Sequence, residues 1–168
     1  MGKKELLDVA RALFLKNNVL DMQQLQKALQ THSRRTVLRY LTELHCFTSY
    51  THAGRYYSLP DVVQFDENGL WRYGDIGFSS YGTLMDTLQH VITTSESGKT
   101  NSELQKLFQV RVQNSLQRLL KRPNKITVIS PEKPMLYISS DPSIGRKQIE
   151  KRQKGMVDPK VKTIFRLN

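Results

Sequence analysis

The sequence predicts an α+β fold, mainly α, made of two tandem units that each hold three helices and a β-hairpin. The first observation is an internal repeat, without gaps, at an offset of 79, which aligns residues 25–30 with residues 104–109. The second is that each half shows three segments with apolar residues at helical spacing, followed by β-prone runs. The third is the length of 168 residues, which suits two small units that would each be marginal alone.

Three helices open the first unit. Apolar residues at helical spacing predict the first helix over residues 3–16, and two asparagines end it. Asp21 is placed to cap a short second helix. Ser33 is placed to cap a third helix over residues 33–44, and its inward stripe is Val37, Tyr40, Leu41 and Leu44.

A β-hairpin follows the third helix. Residues 47–51 and 55–59 are β-prone, the turn between them is at residues 52–54, and Pro60 stops the second strand. Three helices followed by a hairpin is the order of a winged helix. In such a module the second helix of the helix-turn-helix enters the major groove of DNA and reads bases with its N-terminal residues.

The third helix of the first unit exposes three arginines that suit this role. A guanidinium can bind guanine edges or phosphates, and the sequence leaves open which it does here. A solvated helix face is the alternative, but cations at a helix N-terminus oppose the helix dipole unless an anion is near. The candidate DNA-contacting residues, including an arginine in the turn, are Ser33, Arg34, Arg35, Thr36, Arg39 and Arg55.

Residues 61–81 are acidic and aromatic, and they predict an ordered connector that packs the two units together. The units themselves are then residues 1–60 and 82–139, followed by a basic tail over residues 140–168. The connector's glycines do not form a phosphate-binding loop, since no Gly-Lys-Ser/Thr follows them. Its carboxylates lack both a histidine and the spacing of a calcium loop, so we expect no metal site.

The second unit repeats the pattern. A helix follows Thr83, and Thr100 with Glu103 has the pattern of a capping box at the start of the next helix. The third helix is predicted over residues 111–122. Strands are predicted over residues 126–129 and 135–138, around a wing framed by two prolines.

The repeat also compares the two DNA-reading faces. Gln113, Asn114 and Arg118 stand at the positions aligned with the three arginines of the first unit, and glutamine and asparagine pair with adenine edges. The second unit therefore either reads a different base pattern or has moved to a packing or dimerisation role. Its candidate DNA-contacting residues are Arg111, Gln113, Asn114, Arg118, Lys121 and Arg122.

The net charge of +11 and a pI near 9.9 point to a polyanionic partner. Residues 139–168 carry eight basic and three acidic side chains, so much of the excess is C-terminal. Residues 146–154 could form a short polar helix. The tail is expected to be either a mobile basic arm that orders on DNA or a frayed terminus, and its apolar positions Val157, Val161, Ile164 and Phe165 could dock on the body or on a partner.

A single cysteine, Cys46, leaves no intrachain disulfide and no thiolate metal cluster. His45 and Cys46 are adjacent, but a buried structural cysteine is the usual interpretation at such a position. With no nucleophile–base pair and scattered carboxylates, we expect no enzyme and no cofactor. The N-terminus is charged and amphipathic, and no apolar run reaches membrane-spanning length, so a cytoplasmic, nucleoid-associated protein is expected.

Residues 22–59 contain the run Ser-Arg-Arg-Thr-Val-Leu-Arg-Tyr-Leu at positions 33–41 and the run Arg-Tyr-Tyr-Ser-Leu at positions 55–59. With these two runs, the segment resembles the winged helix-turn-helix of DeoR-type bacterial transcription regulators. The longer run through residues 65–71 and 82–84 is similar to a family of uncharacterised bacterial proteins. The sequence departs from DeoR-type regulators in that no sugar-phosphate-sensing domain is expected in it, so the resemblance gives no reason to infer a small-molecule effector.

The expected function is binding of double-stranded DNA by a transcription regulator, as a monomer or a homodimer. The alternative is a replication-initiation, transposon-associated or chromosome-architecture protein built on the same modules.

Overall fold

A computed structural model of the chain describes residues 1–129 and 134–155. The chain divides into two compact units, Met1–Thr83 and Leu84–Asn168. About half of the described residues lie in helices, and the strands form small antiparallel sheets. The predicted α+β class is confirmed. None of the described helices is long and apolar enough to cross a membrane.

Six elements follow one another over residues 3–58 of the first unit. They are the helices α1 (Lys3–Asn17), α2 (Met22–Ala28) and α3 (Arg34–Glu43) and the strands β1 (Leu20–Asp21), β2 (Phe47–Thr48) and β3 (Tyr56–Ser58). All three predicted helices are present. The ends of α1 and α3 lie within one residue of the predicted bounds.

Side-chain caps fix where α2 and α3 begin. The Asp21 carboxylate accepts a hydrogen bond from the backbone amide of Gln24 at 2.9 Å, and the Gln24 side chain accepts one from the amide of Asp21 at 2.8 Å. Ser33 Oγ accepts a hydrogen bond from the backbone amide of Thr36 at 3.2 Å. Both predicted caps are confirmed, and each satisfies amides that the first helical turn leaves without partners.

The first sheet has the strand order β1-β3-β2, and Leu20 of β1 lies opposite Tyr57 of β3. The sequence did not predict β1, because a strand of two residues shows no alternation of apolar and polar side chains. One face of the sheet and the three helices enclose a common core. Its buried members are Ala10, Phe14, Leu20, Leu25, Leu29, Val37, Leu41, Leu44, Tyr57 and Leu59.

The hairpin strands are shorter than predicted. The Ser49 amide still donates to the carbonyl oxygen of Tyr56 at 2.9 Å, but the Tyr50 amide donates outside this hairpin, to the carbonyl oxygen of Gly77 at 2.8 Å. His52, Ala53 and Gly54 take positive φ angles of 53°, 53° and 71° in the predicted turn, and Arg55 has helical backbone angles. The predicted ranges 47–51 and 55–59 are therefore too long, since β2 ends at Thr48 and β3 spans only Tyr56–Ser58.

The predicted connector is ordered and belongs to the first compact unit. It contains the antiparallel strands β4 (Leu70–Tyr73) and β5 (Ile76–Ser79). The Gly77 amide donates to Oγ1 of Thr51 at 2.9 Å, so this hairpin is hydrogen-bonded to the turn that follows β2. That the connector also packs the two units together stays a prediction.

Replacing Gly77 by alanine is expected to destabilise the first unit by about 1–3 kcal/mol. An added Cβ would overlap the ring of Tyr50, which packs against this glycine. Urea unfolding followed by the fluorescence of Trp71, on the same hairpin, measures the change. Gly2→Ala is the control, since nothing lies within 4 Å of a Cβ at that position. Equal unfolding midpoints for the two variants would show that the hairpin does not pack as described.

The second unit repeats the element order and adds a helix at its end. Its elements are the helices α4 (Leu84–Thr94), α5 (Asn101–Phe108), α6 (Gln113–Leu120) and α7 (Pro142–Gly155) and the strands β6 (Lys99–Thr100), β7 (Ile126–Ile129) and β8 (Leu136–Ser139). The sheet order is β6-β8-β7. The predicted capping box at Thr100 and Glu103 is confirmed. Residues 130–133, which hold most of the predicted wing, lie outside the described residues.

The repeat at an offset of 79 holds in the middle of each unit and slips by one residue at both ends. The strands β1 and β6, and the first residues of α2 and α5 and of α3 and α6, are 79 apart. In the first helix of each unit, however, the fully buried pair Ala10 and Phe14 matches Leu88 and Ile92 at an offset of 78.

The last strand slips in the other direction. Leu20 and Lys99 are the aligned first residues of β1 and β6, and they lie opposite Tyr57 and Tyr137, respectively. The two tyrosines are therefore equivalent positions, and they are 80 residues apart. The prediction of a repeat without gaps is therefore wrong in the first helix, where loops of different length precede β1 and β6, and in the last strand, which follows hairpin connections of different length.

Residues 142–155 are neither a mobile arm nor a frayed terminus, and both expectations for the tail are wrong over this range. They form α7, in which Gln148 is 1% exposed. Its Oε1 accepts a hydrogen bond from the Ser139 amide at 2.8 Å, and its Nε2 donates to the carbonyl oxygens of Ile92 at 2.7 Å and Ser95 at 2.9 Å. Gly145 allows the close approach, since a Cβ there would lie 2.8 Å from the Ser139 carbonyl oxygen.

Arg152 fastens the other end of α7. Its guanidinium donates to the carbonyl oxygens of Ser97 and Gly98 at 2.9 Å each and to both carboxylate oxygens of Glu103 at 2.8 and 2.9 Å. Burial raises the pKa of Glu103, but hydrogen bonds from Arg152 and from the Thr100 amide outweigh it and hold the pKa below its usual value. The predicted docking positions Val157, Val161, Ile164 and Phe165 lie outside the described residues.

Candidate nucleic-acid interface

Helix α3 presents its arginines to solvent. Val37 and Leu41 are buried in the core and fix the rotation of the helix. This orientation leaves Arg34, Arg35 and Arg39 exposed on the remaining surface. The structure therefore places these three candidate residues together on one accessible helix, as the sequence predicts.

The electrostatics of α3 are unfavourable without a partner. Its first turn holds Arg34 and Arg35 and no acidic residue. Within residues 1–129 and 134–155, none of its three guanidiniums has a carboxylate within ion-pair distance. Cations near a helix N-terminus cost roughly 0.3–1 kcal/mol each, and a bound anion removes that cost.

The Ser33 hydroxyl caps α3 and so uses its oxygen as an acceptor, but the hydroxyl hydrogen can still be donated. Thr36 lies one turn into the helix and is half-buried. Both residues thus remain beside the exposed arginines, where a phosphate would meet the amides of the first helical turn.

A groove joins the start of α3 to the hairpin turn. Arg34 and Arg55 both line it, together with the first residues of α2 and the aromatic pair that opens β3. Its volume is about 330 Å³. Arg55 Nε donates to the carbonyl oxygen of His52 at 3.2 Å, which orients the rest of the guanidinium. Both arginines were predicted from the sequence as DNA-contacting residues. That they line one groove was not predicted, because it depends on the left-handed turn at residues 52–54.

Helix α6 is the counterpart of α3 in the second unit, and it is shorter than predicted. It spans Gln113–Leu120, so Arg111, Lys121 and Arg122 lie outside it instead of in a helix over residues 111–122. Val112 precedes it and makes no side-chain cap. Leu116 and Leu119 are buried, and they leave Gln113, Asn114 and Arg118 exposed on the opposite side.

The flanking cations differ in their surroundings. Arg111 and Lys121 are exposed. The guanidinium of Arg122 lies 3.6 Å from the carboxylate of Asp86 and 4.0 Å from the sulfur of Met85. Part of its charge is thus offset by α4, and Arg122 is the weaker candidate of the three.

Cys46 is partly buried against the core of the first unit. Burial raises the pKa of its thiol to about 12, although the charge of Arg11 acts in the opposite direction. A thiol held protonated in this way is a poor nucleophile, in line with the structural role predicted from the sequence. Among the described residues, no group of three or more His, Cys, Asp and Glu side chains is arranged to hold a metal ion.

Alkylation of Cys46 by iodoacetamide at pH 8 is expected to be on the order of a thousandfold slower in the native protein than in urea, because the native thiolate is that much scarcer. Mass spectrometry of timed samples measures both rates. The unfolded chain loses its thiol proton first, so this group lowers stability as the pH rises above about 9. Similar rates in buffer and in urea would contradict the burial of Cys46.

The chain matches no protein-family model, no curated protein and no solved structure.

Proposed function

We propose that the chain binds double-stranded DNA through two winged-helix units. The order helix, strand, helix, helix, strand, strand and a three-stranded sheet with the last strand in the centre support this assignment for both units. In such modules the helix that corresponds to α3 and α6 lies in the major groove.

The exposed arginines of α3 carry the proposal. With α3 in the major groove, Arg34 and Arg35 at its N-terminal end reach base edges or the flanking phosphates, and Arg39 follows one turn later. Ser33 and Thr36 lie where a phosphate would meet the first amides of the helix. Arg55, across the groove from Arg34, reaches the backbone or the adjacent minor groove.

The second unit makes different contacts in this proposal. Gln113 and Asn114 suit adenine edges, which accept and donate in the pattern of a carboxamide. Arg118, Arg111 and Lys121 supply phosphate contacts that carry little sequence information. The two units would then read unlike halves of one site, rather than two copies of the same half-site.

The resemblance of residues 22–59 to DeoR-type regulators favours transcription regulation as the purpose of this binding, with the protein located on the nucleoid.

Fluorescence anisotropy with a labelled duplex tests the proposal, with salt as the variable. Neutralised phosphates make log K fall linearly with log salt at about −0.9 per contact, so six to eight contacts give a slope of roughly −5 to −7. A single strand of the same sequence should bind more weakly. Absence of duplex binding at ~50 mM salt would contradict the proposal.

Changing Gln113 and Asn114 together to alanine is expected to weaken binding to the preferred sequence by roughly tenfold to a hundredfold, because one or two base contacts are lost. The slope of log K against log salt should not change, since both residues are neutral. The same anisotropy titration measures both quantities. Unchanged affinity for every sequence tested would assign α6 to packing or dimerisation instead.

A further inference from the structure

Helix α1 carries exposed apolar surface in addition to the stripe that builds the core. Ala10 and Phe14 are fully buried and belong to the core. Val9, Ala12 and Leu13 stand at positions i, i+3 and i+4 beside these two residues; Leu13 is half-buried and also packs against the core, whereas Ala12 is exposed and Val9 is 38% exposed. Val9 and Ala12 thus extend the apolar surface of α1 beyond the stripe that the core requires.

This extended apolar surface forms one wall of a groove of about 600 Å³ between α1 and α2. The opposite wall is formed by Gln24, Lys27 and Ala28 of α2, so the apolar part of the lining comes mostly from α1. An open groove with an apolar wall is a geometry into which an amphipathic helix packs.

Both charged side chains that line the groove are positive. Lys16 of α1 and Lys27 of α2 line it, and no acidic side chain does so among the described residues. Both lysines are exposed, and neither has a carboxylate partner within residues 1–129 and 134–155. Their charges therefore favour an occupant whose apolar stripe is flanked by carboxylates.

We propose that the α1–α2 groove is a docking site for an acidic amphipathic helix of a partner protein. A second copy of this chain would bring lysines against lysines, which disfavours self-association through this face. The chain's own residues 156–168 are also disfavoured, because they carry Lys160, Lys162 and Arg166 but only one acidic residue, Asp158.

The groove shares no lining residue with the candidate DNA-contacting set. This docking site thus goes beyond DNA binding, since it lets the chain hold a protein while α3 and α6 remain free for DNA. It also does not depend on DNA binding, because the groove and its charges are present in the first unit alone.

Two labelled synthetic helical peptides test the site on the full-length protein. Both have leucines at positions i, i+3, i+4 and i+7, and they differ only in whether the flanking residues are glutamate or lysine. The glutamate peptide should bind and the lysine peptide should not. In the variant Lys16→Glu/Lys27→Glu the preference should reverse, with the glutamate peptide weakened by about tenfold or more, because two attractive pairs become repulsive.

Two further variants separate the groove from other surfaces. Ala12→Asp places a negative charge on the α1 wall of the groove at an exposed position and should abolish binding of the glutamate peptide while the circular dichroism melting curve is preserved. Arg34→Ala/Arg35→Ala should leave peptide binding unchanged, whatever it does to DNA binding.

Equal binding of the two peptides, or no binding of either, would overturn the proposal. So would a wild-type dimer in sedimentation that Ala12→Asp converts to monomer, since a second copy would then be the occupant. Binding of the glutamate peptide only after removal of residues 156–168 would identify the chain's own C-terminal segment as the occupant instead.

Discussion

Replacing Arg34 and Arg35 together by alanine is expected to weaken binding of duplex DNA on the order of a hundredfold, or about 1.4 kcal/mol for each arginine, because base or phosphate contacts are lost. The slope of log K against log salt should also fall in magnitude by about 2 if both arginines contact phosphates. If either contacts a guanine edge instead, the loss becomes specific to sequence. Anisotropy titrations at several salt concentrations separate these cases.

The matched control removes two positive charges elsewhere on the same unit. Lys4 and Lys16 of α1 are exposed and lie outside the candidate DNA-contacting set. The variant Lys4→Ala/Lys16→Ala has the same net charge as the arginine variant, so it reports the loss of general attraction alone. Equal weakening by the two variants would contradict a specific role for α3 and would leave only non-specific attraction by a basic protein.

Replacing Gln148 by alanine is expected to cost the second unit about 2–4 kcal/mol, a large part of the stability of a small domain. The change removes no charge, but it leaves the buried Ser139 amide without its acceptor and takes one donor from the carbonyl oxygens of Ile92 and Ser95. A buried amide left in this way costs roughly 1–3 kcal/mol, whereas the Ile92 oxygen keeps the Ser95 hydroxyl as a donor and the Ser95 carbonyl belongs to a half-buried residue. Hydrogen exchange of the β8 amides measures the loss directly.

Lys147→Ala is the control for this prediction, because Lys147 is the exposed neighbour of Gln148 on the same helix. It should change stability by less than about 0.5 kcal/mol. Comparable exchange rates in the two variants would mean that α7 does not dock on the second unit, and residues 142–155 would return to the predicted mobile arm.

The helices and their starts could be predicted because their signals are local. Apolar spacing located α1 and α3, and the polar side chains of Asp21, Ser33 and Thr100 marked three caps. The two-residue strands β1 and β6 have no periodicity to detect. Helix α7 was missed as a packed element because Ile149 is the one apolar side chain that it buries, and one residue shows no apolar spacing. Its other docking contacts come from Gln148, Arg152 and Gly145, which a hydrophobic pattern does not reveal.

The candidate DNA-contacting residues were predictable one helix at a time. The buried face of α3 fixes which side chains remain outside, so the exposure of its arginines follows from the sequence. The proximity of Arg34 to Arg55 does not, because it depends on three consecutive left-handed residues, only one of them a glycine. The ion pair of Arg122 with Asp86 depends on the packing of α4 in the same way.

DNA recognition through α3 and α6 is tested most directly by a titration of ¹⁵N-labelled protein with duplex DNA, followed through the chemical shifts of the backbone amides. The largest changes are expected at residues 33–39, at Arg55 and at residues 111–118, with small changes along α1 and α7. Changes confined to α1 or α7, or spread evenly over all exposed basic residues, would contradict recognition through α3 and α6.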